Sequence, residues 1–360
     1  MDNQGPTAPL PPRVYSPPVV VPAPIYTDPL PLAPPIAPLP PSPPPRGGWN
    51  WSWFVRGMLL VVLVMAIGLG LLWHRVSDFS RAVSGQDALA SQLGDGRVSL
   101  VFLGYGGVGH DGAYLSDSLL VVTYDPATGK SAMISVPRDL WVQIPPGSGE
   151  YAKLNTAFAY GVAHGGIITG GNLAANKVTD ILGVNVTHWL SLDFTGFAEL
   201  VDQLGGLDIT VPDNFVATLS PTYTGGQVFH QGLQHMDGTR ALLFARARYC
   251  TPAAEASDFA RSARQQLLLR ALFAKVRSVG GWFSAPGVMD ALQTRLNTDL
   301  SLRDLATILT HFDIAHATRI GLTNNNVLTD ATSDDGQAIL LPIGGNWGAI
   351  RAYVQQQLGG

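Results

Sequence analysis

The sequence predicts an α/β protein: an α-β-α sandwich in which helices flank a central mixed β-sheet, preceded by one transmembrane helix. Three observations lead there. Short apolar runs bounded by turn residues alternate with segments whose apolar residues recur at helical spacing, the pattern of packed layers. The strand runs are apolar almost throughout, as in strands covered on both faces. One run of seventeen uncharged residues, Gly57 to Trp73, sits at the short edge of the ~20 residues that span a bilayer.

The elements follow in order. Residues 1–48 are dominated by proline, with runs such as Pro40-Pro41-Ser42-Pro43-Pro44-Pro45. Proline lacks a backbone donor and disfavours helices and central strands, so a disordered tail is expected. Residues 54–74 are the expected spanning helix. Phe54 and Val55 extend the apolar run if Arg56 snorkels, and Trp49, Trp51, Trp53 and Trp73 suit the interfacial belts. A cleavable signal peptide fits poorly, because a long segment precedes the run and no small-residue cleavage pattern follows it. Arg13, Arg46 and Arg56 before the span and Arg75 and Arg81 after it do not fix its orientation. Residues 75–96 read as a stalk or linker.

The folded part begins with strand candidates at Val98 to Leu103, Leu119 to Tyr124 and Ala132 to Val136, the last two joined by the turn Asp125 to Gly129. A helix at Leu173 to Leu182, a strand at His188 to Leu192, a helix at Phe194 to Leu204 and a strand at Leu207 to Val211 continue the alternation. Gly205-Gly206 stops the second helix. Residues 97–277 are enough for one core. Residues 278–360 read as a C-terminal extension, packed on that domain or appended to it. It has helices at Leu302 to Leu309 and Ile350 to Leu358 and loop-rich stretches at Ser278 to Gly287 and Thr323 to Gly348.

Composition narrows the function. The chain is only 13% charged, with a net charge of −4, and has no zinc-finger or basic-helix pattern, so no nucleic-acid partner is expected. The single cysteine, Cys250, excludes an internal disulfide and a cysteine metal cluster.

Against this sparse background, arginines and aspartates recur at ordered spacings. Asp117 sits in LSDS, Arg138 and Asp139 in SVPRD, and Arg246 and Arg248 in FARAR. Asp258, Arg261, Arg264 and Gln265 follow in DFARSARQQ. A planar guanidinium grips two phosphate oxygens, and a nearby carboxylate can hold a divalent cation. If FARAR is extended, its two arginines share one face; they repel unless an anion or buried acids compensate, and the bland alternative is a solvated edge. The offsets i, i+3, i+6 and i+7 put Asp258, Arg261, Arg264 and Gln265 on one broad face of a helix, where ordinary Asp–Arg pairing is the alternative. Arg138 and Asp139 follow a strand end, the usual place for functional side chains in α/β sheets, though a salt bridge at the core edge also explains them. Lys153, Asn155 and Tyr160 read as an adjacent polar wall. The glycine-rich stretches Gly104–Gly112 and Gly165–Gly171 allow close backbone approach to phosphate, but match no nucleotide fingerprint. His110 is an accessory candidate for metal or polar substrate.

The ordered set resembles the LytR-CpsA-Psr family. It runs through Leu103-Gly104, Ser116-Asp117-Ser118, Ser135 to Asp139, Lys153-Leu154-Asn155, Asp193-Phe194 with Phe197, and Val201-Asp202 with Gly205-Gly206. It continues through Asp237-Gly238, Ala245 to Arg248, and Asp258 with Arg261 and Arg264 to Gln266. These motifs cover about residues 97–277, and the tail, single anchor and following domain match the family arrangement.

The resemblance implies a bacterial membrane-anchored phosphotransferase with a cytoplasmic N-terminus and an extracytoplasmic C-terminal domain. It implies transfer of a glycopolymer from an undecaprenyl-pyrophosphate carrier to a sugar hydroxyl of peptidoglycan. Asp117 and Asp258 are the implied ligands of Mg²⁺, with Mn²⁺ as an alternative. Arg138, Arg246, Arg248, Arg261 and Gln265 are the implied pyrophosphate contacts, with Arg264 joining them and Asp139 as an orienting or acid/base residue. The lipid is expected in an apolar groove of the core. Two other readings share this pocket: a noncatalytic binder of polyprenyl phosphates or wall polymer, and a lipid pyrophosphatase or phosphodiesterase. The chain also departs from the pattern. Leu115 stands where the family carries an arginine before Ser116-Asp117, leaving the Gly106-Gly107 backbone or His110 as substitutes. Residues 249–257, YCTPAAEAS, read as an insertion between FARAR and Asp258.

Overall fold

The computed structural model describes residues 51–82, 96–218, 226–278 and 287–359. The expected proline-rich tail, most of the expected stalk and nearly all of the stretch 278–287 lie outside the described residues.

Helix α1 spans Trp51–Ala82. The expected spanning run lies within it, although several of its side chains are outside those described. Among the described residues, no helix is long and apolar enough to cross a membrane.

The sheet strands are β1 (Val98–Tyr105), β2 (Ser116–Asp125) and β3 (Lys130–Ser135), followed by the short hairpin β4 (Trp141–Gln143) and β5 (Tyr151–Lys153). Next come α2 (Thr156–Leu182), β6 (His188–Asp193), α3 (Phe194–Gln203), β7 (Leu207–Val211), β8 (Phe215–Thr218), β9 (Gln227–Phe229) and β10 (Gly232–Met236). Helix α4 (Gly238–Arg246), β11 (Tyr249–Thr251) and α5 (Asp258–Arg277) complete the motif-bearing region. Beyond them lie β12 (Leu296–Thr298), α6 (Leu302–His311), β13 (Thr318–Gly321), the hairpin β14 (Leu328–Thr332) and β15 (Ala338–Pro342), and α7 (Gly348–Gly359).

The central sheet runs β12-β6-β1-β2-β3-β13. Strand β1 pairs parallel with β6 and antiparallel with β2, so the sheet is mixed. Alternation along β1 sends Val101, Leu103 and Tyr105 toward α2 and α7, and Val98 and Leu100 toward α5 and α6. Helices therefore cover both faces, and the near-continuous apolar strands are explained.

Three expectations change. The C-terminal stretch is no appendage: β12 and β13 form the two edges of the central sheet, one antiparallel to β6 and one parallel to β3. Residue 277 is therefore not a domain boundary. Part of the stretch expected as loop is the hairpin β14–β15, whose Leu340 N–H donates to the Asp139 carbonyl at 3.0 Å. Helix α2 also starts before Leu173, and it is two helical segments, running from Thr156 and broken at Gly166, where φ is 81°. Its Gly165–Gly171 stretch is a packing device, not a phosphate loop. A Cβ at Gly171 would lie 2.1 Å from the buried Trp189 indole, and one at Gly161 would lie 2.5 Å from Gly170. Only glycine lets these surfaces close.

Candidate active site

Between the sheet and helices α3, α5 and α6 lies a cavity of about 650 Å³. Leu100 and Phe102 of β1, Leu190 of β6, Leu200 of α3, Phe273 of α5 and Leu305 of α6 line its body. Such a surface offers an extended apolar chain almost nothing but hydrocarbon.

The mouth is different. Asp117 is the second residue of β2, and Arg138 follows β3. Arg246 is the last residue of α4, Arg248 lies just beyond, and Arg261 and Gln265 stand one turn apart on α5. All six line the same cavity. Among the described side chains, four guanidinium groups thus meet one mouth carboxylate, Asp117; Asp193, also in the lining, is paired with Arg295 at 3.1 Å. The excess positive charge suits an anion with several oxygens.

Several of these groups are braced by neighbours. Arg138 Nη1 donates to Asp117 Oδ1. Arg138 Nε lies 3.4 Å from Asp139 Oδ2, yet it has no hydrogen-bond partner of acceptable geometry. Lys153 Nζ sits 2.9 Å from Asp139 Oδ1. Burial pushes the Asp139 carboxyl up, but Lys153, Arg138 and Arg248 outweigh it and hold the group below the usual carboxylate range. The Arg246 guanidinium lies 4.0 Å above the Phe194 ring. Burial lowers its pKa, and the Asp117 carboxylate opposes that shift. Gln265 ties two segments of the site together: its Oε1 accepts from Ser118 Oγ at 3.0 Å, and its Nε2 donates to the Ala245 carbonyl at 3.4 Å.

Several sequence-predicted residues fall elsewhere. Arg246 ends a helix and Ala247 caps it, so FARAR is not an extended strand; the turn, not a strand face, brings both arginines to the mouth. Arg264 points away from the cavity. It is 2% exposed and donates to the carbonyls of Phe244, Ala247 and Glu255 at 3.0, 2.7 and 3.0 Å and to Glu255 Oε2 at 2.8 Å. Those carbonyls bracket Arg246 and precede α5, so Arg264 clamps the turn that carries the arginines instead of touching a ligand. Lys153 and Asn155 do not line the cavity. The Asn155 backbone receives the Ser116 N–H and donates to the Arg138 carbonyl, both at 3.0 Å, which fixes Asp117 beside Arg138. The Gly107 N–H is spent on the Ala113 carbonyl at 2.8 Å, so it is not a phosphate donor. His110 meets the edge of Phe194, 5.6 Å between ring centroids, next to the Arg246 stack but outside the cavity lining. Asp258 opens α5, and its side chain lies outside those described.

Sequence reasoning missed Ser118 and Phe194 as parts of the mouth. Both lie inside motifs that carry the family resemblance, but only the fold turns a serine toward Gln265 and an aromatic face under Arg246.

Among the described residues, no group of three His, Cys, Asp or Glu side chains is placed to hold a metal. Mg²⁺ commonly takes one or two carboxylates and completes its octahedron with substrate phosphates and water. Asp117, with one oxygen engaged by Arg138, is a described carboxylate that fits that pattern only together with a bound phosphate.

The fold and site define an α/β protein whose apolar cavity opens at an arginine-rich mouth, an architecture suited to an anionic amphiphile. Residues 75–339 match the LytR_cpsA_psr family, and the chain belongs to it. It is similar to a polyisoprenyl-teichoic acid–peptidoglycan teichoic acid transferase, TagU, of Enterococcus faecalis: 29% identical over 267 residues, covering 71% of this chain and 80% of the relative. TagU of Oceanobacillus iheyensis, described by the same activity, is 27% identical over 301 residues, covering 81% and 87%. The crystal structure of Bacillus subtilis TagV superimposes with a TM-score of 0.56 at 25% identity, covering 73% of this chain and 97% of that one.

Proposed function

We propose that the protein is a membrane-anchored phosphotransferase that moves a glycopolymer from a polyisoprenyl-pyrophosphate carrier to peptidoglycan. The observation that carries this reading is the junction of a long apolar cavity with a four-arginine mouth. A lipid pyrophosphate has that same division: hydrocarbon at one end, several anionic oxygens at the other. The activity given for the two TagU relatives supports the choice of donor and acceptor.

In this reading the isoprenyl chain lies among Leu100, Phe102 and Leu190. Arg246, Arg248 and Arg261 hold the pyrophosphate oxygens, and Arg138, braced by Asp117 and Asp139, faces the phosphoryl group under attack. A peptidoglycan sugar hydroxyl forms a bond to the glycan-side phosphorus. The bridging bond to the lipid-side phosphate breaks, and the electron pair leaves on polyisoprenyl monophosphate. The hydroxyl proton passes to solvent or to a base that the charge pattern does not single out. Asp139 is a poor base, because its cationic neighbours keep it ionised and weakly basic. The arginines stabilise charge that grows on the leaving phosphate. Asp117 and Asp258 would hold Mg²⁺, which supplies further neutralisation of phosphate charge when bound.

The anchor belongs to the same proposal. Leu60, Val62, Leu63, Val64, Met65, Ile67 and Leu71 of α1 are all more than half exposed or at that limit. Large apolar side chains exposed around a helix suit hydrocarbon better than water. The sandwich would then stand outside the cytoplasmic membrane, where peptidoglycan is reached.

The test incubates the purified full-length protein with a lipid-pyrophosphate-linked glycan, peptidoglycan and Mg²⁺. Covalent attachment of glycan phosphate to the wall, with release of polyisoprenyl monophosphate, is expected. Release of glycan phosphate into solution without attachment would instead identify a phosphodiesterase, and saturable donor binding with no turnover would identify a binding protein.

A further inference from the structure

A second pocket, of about 180 Å³, adjoins the mouth. It shares Asp117, Ser118, Arg138, Arg261 and Gln265 with the large cavity, so the two meet at one charged wall and diverge from it. We infer that this pocket is the subsite for the sugar ring of the acceptor, whose hydroxyl attacks the phosphorus. The inference rests on the transfer reaction proposed for that wall.

Its own lining points to a neutral polyol. Phe259 and Ser262 come from α5, Asn324 from the turn after β13, and Asp330 from β14. Among the described lining residues, the pocket adds no lysine or arginine beyond the shared ones, so nothing in it calls for a further phosphate. An aromatic ring with hydroxyl, amide and carboxylate groups matches the C–H face and O–H groups of a sugar. The volume equals about six waters of bulk liquid, room for a single ring but not for a polymer.

The pocket is built rather than accidental. Asn326 Oδ1 accepts from the Thr323 and Val327 N–H groups, both at 2.7 Å, and its Nδ2 donates to the Gly321 carbonyl at 2.9 Å. This fixes the turn that carries Asn324. The Asn324 Nδ2 donates to the Asp330 carboxylate, which can only accept, and that sets the orientation of the amide. Its Oδ1 is then left buried with no hydrogen-bond partner, a costly state in a residue of the pocket wall. The Leu340 N–H on the Asp139 carbonyl stitches this hairpin to the loop bearing Arg138.

Reaction geometry sets the direction. In phosphoryl transfer the attacking and leaving oxygens stand roughly in line. The leaving lipid phosphate continues into the apolar cavity, so the nucleophile arrives from the space beyond the shared wall. The C-terminal hairpin thereby completes the acceptor side of the site.

The experiment uses the purified full-length protein and two variants, Asn324→Ala and Phe259→Ala. Transfer is measured against increasing peptidoglycan glycan strands, and binding of undecaprenyl pyrophosphate, which carries no sugar, is measured in parallel. The expected result is a KM for the strands raised about tenfold, the scale of one lost hydrogen bond or packed ring face, with lipid-pyrophosphate affinity unchanged. Unchanged affinity also reports that the variants fold. An unaltered KM for the strands in both variants would overturn the inference. So would a raised KM for the glycan-bearing donor alone, which would assign the pocket to the first donor sugar. If Arg246→Ala and Arg248→Ala leave undecaprenyl-pyrophosphate binding intact, the parent reading fails first, and the inference falls with it.

Discussion

The body of the large cavity is made from the middles of regular elements, whereas most of its mouth is made from their ends. Leu100, Phe102 and Leu190 project from strand interiors, and Leu200 and Phe273 from helix interiors. Asp117, Arg138, Arg246 and Arg248 stand at a strand start, a strand exit and a helix terminus. The apolar wall tolerates small shifts, because hydrophobic burial has no direction. The mouth depends on four guanidinium groups held at fixed angles, so it needs braces. Arg264 is the clearest of them: it is chemically the same as Arg246, but it is spent on carbonyls and Glu255 instead of facing the cavity.

That contrast can be broken most severely at Arg264. Arg264→Met removes the partner of Glu255 and leaves several carbonyls unpaired, so a stability loss of about 3–5 kcal/mol is expected in chemical denaturation. A variant of near wild-type stability would show that the clamp is not structural. Next comes the mouth itself. Arg246→Ala should lower the turnover of glycan transfer by about 10²–10³-fold while leaving the denaturation midpoint close to wild type. A loss of activity that simply tracked unfolding would erase the distinction between the two arginines.

The cavity body should respond less and differently. Leu190→Trp fills part of the apolar wall, and affinity for undecaprenyl pyrophosphate should fall about tenfold, equivalent to leaving about two methylene groups in water. Competition by inorganic pyrophosphate should not change; if it did, body and mouth would not be separate binding surfaces.

The smallest effect is a pH signature. The folded Asp139 carboxyl is held below its ordinary value, so its stabilising contribution is complete above about pH 4 and is lost as pH falls through the depressed value. The stability gap between wild type and Asp139→Asn should therefore be flat from neutral pH down to about pH 5 and close below about pH 4. The variant's pH–rate profile near neutrality should keep the limbs of the wild type. Disappearance of a limb would return Asp139 to a proton-transfer role.

The sequence made some of this architecture visible and hid the rest for definable reasons. The strands at Val98 and Leu119 were legible because nearly continuous apolar runs between turn residues leave few alternatives. The edge strands β12 and β13 were not, since three or four residues reading LNT and TRIG carry no apolar run. Gly165 to Gly171 read as backbone open to a phosphate, because the demand of Trp189 for a glycine surface at Gly171 is a tertiary fact. In the mouth, residue types pointed to anion binding, and the family resemblance supplied their roles. Spacing alone put Arg264 with Arg261 and Gln265; only burial separates the clamp from the residues in the lining. Asn324 carried no local signal at all, since its meaning comes from a hairpin folded back on Asp139.

If body and mouth act together as one lipid-pyrophosphate site, neither can hold the ligand tightly alone. Equilibrium binding of undecaprenyl pyrophosphate to the wild-type protein and to the Arg246→Ala/Arg248→Ala double variant, with folding checked by denaturation, reads this out. Saturable binding to the wild type is expected, with a loss of about 100-fold or more in the double variant, the scale of two charge-assisted contacts. Equal affinity in two equally stable proteins would contradict a joint site.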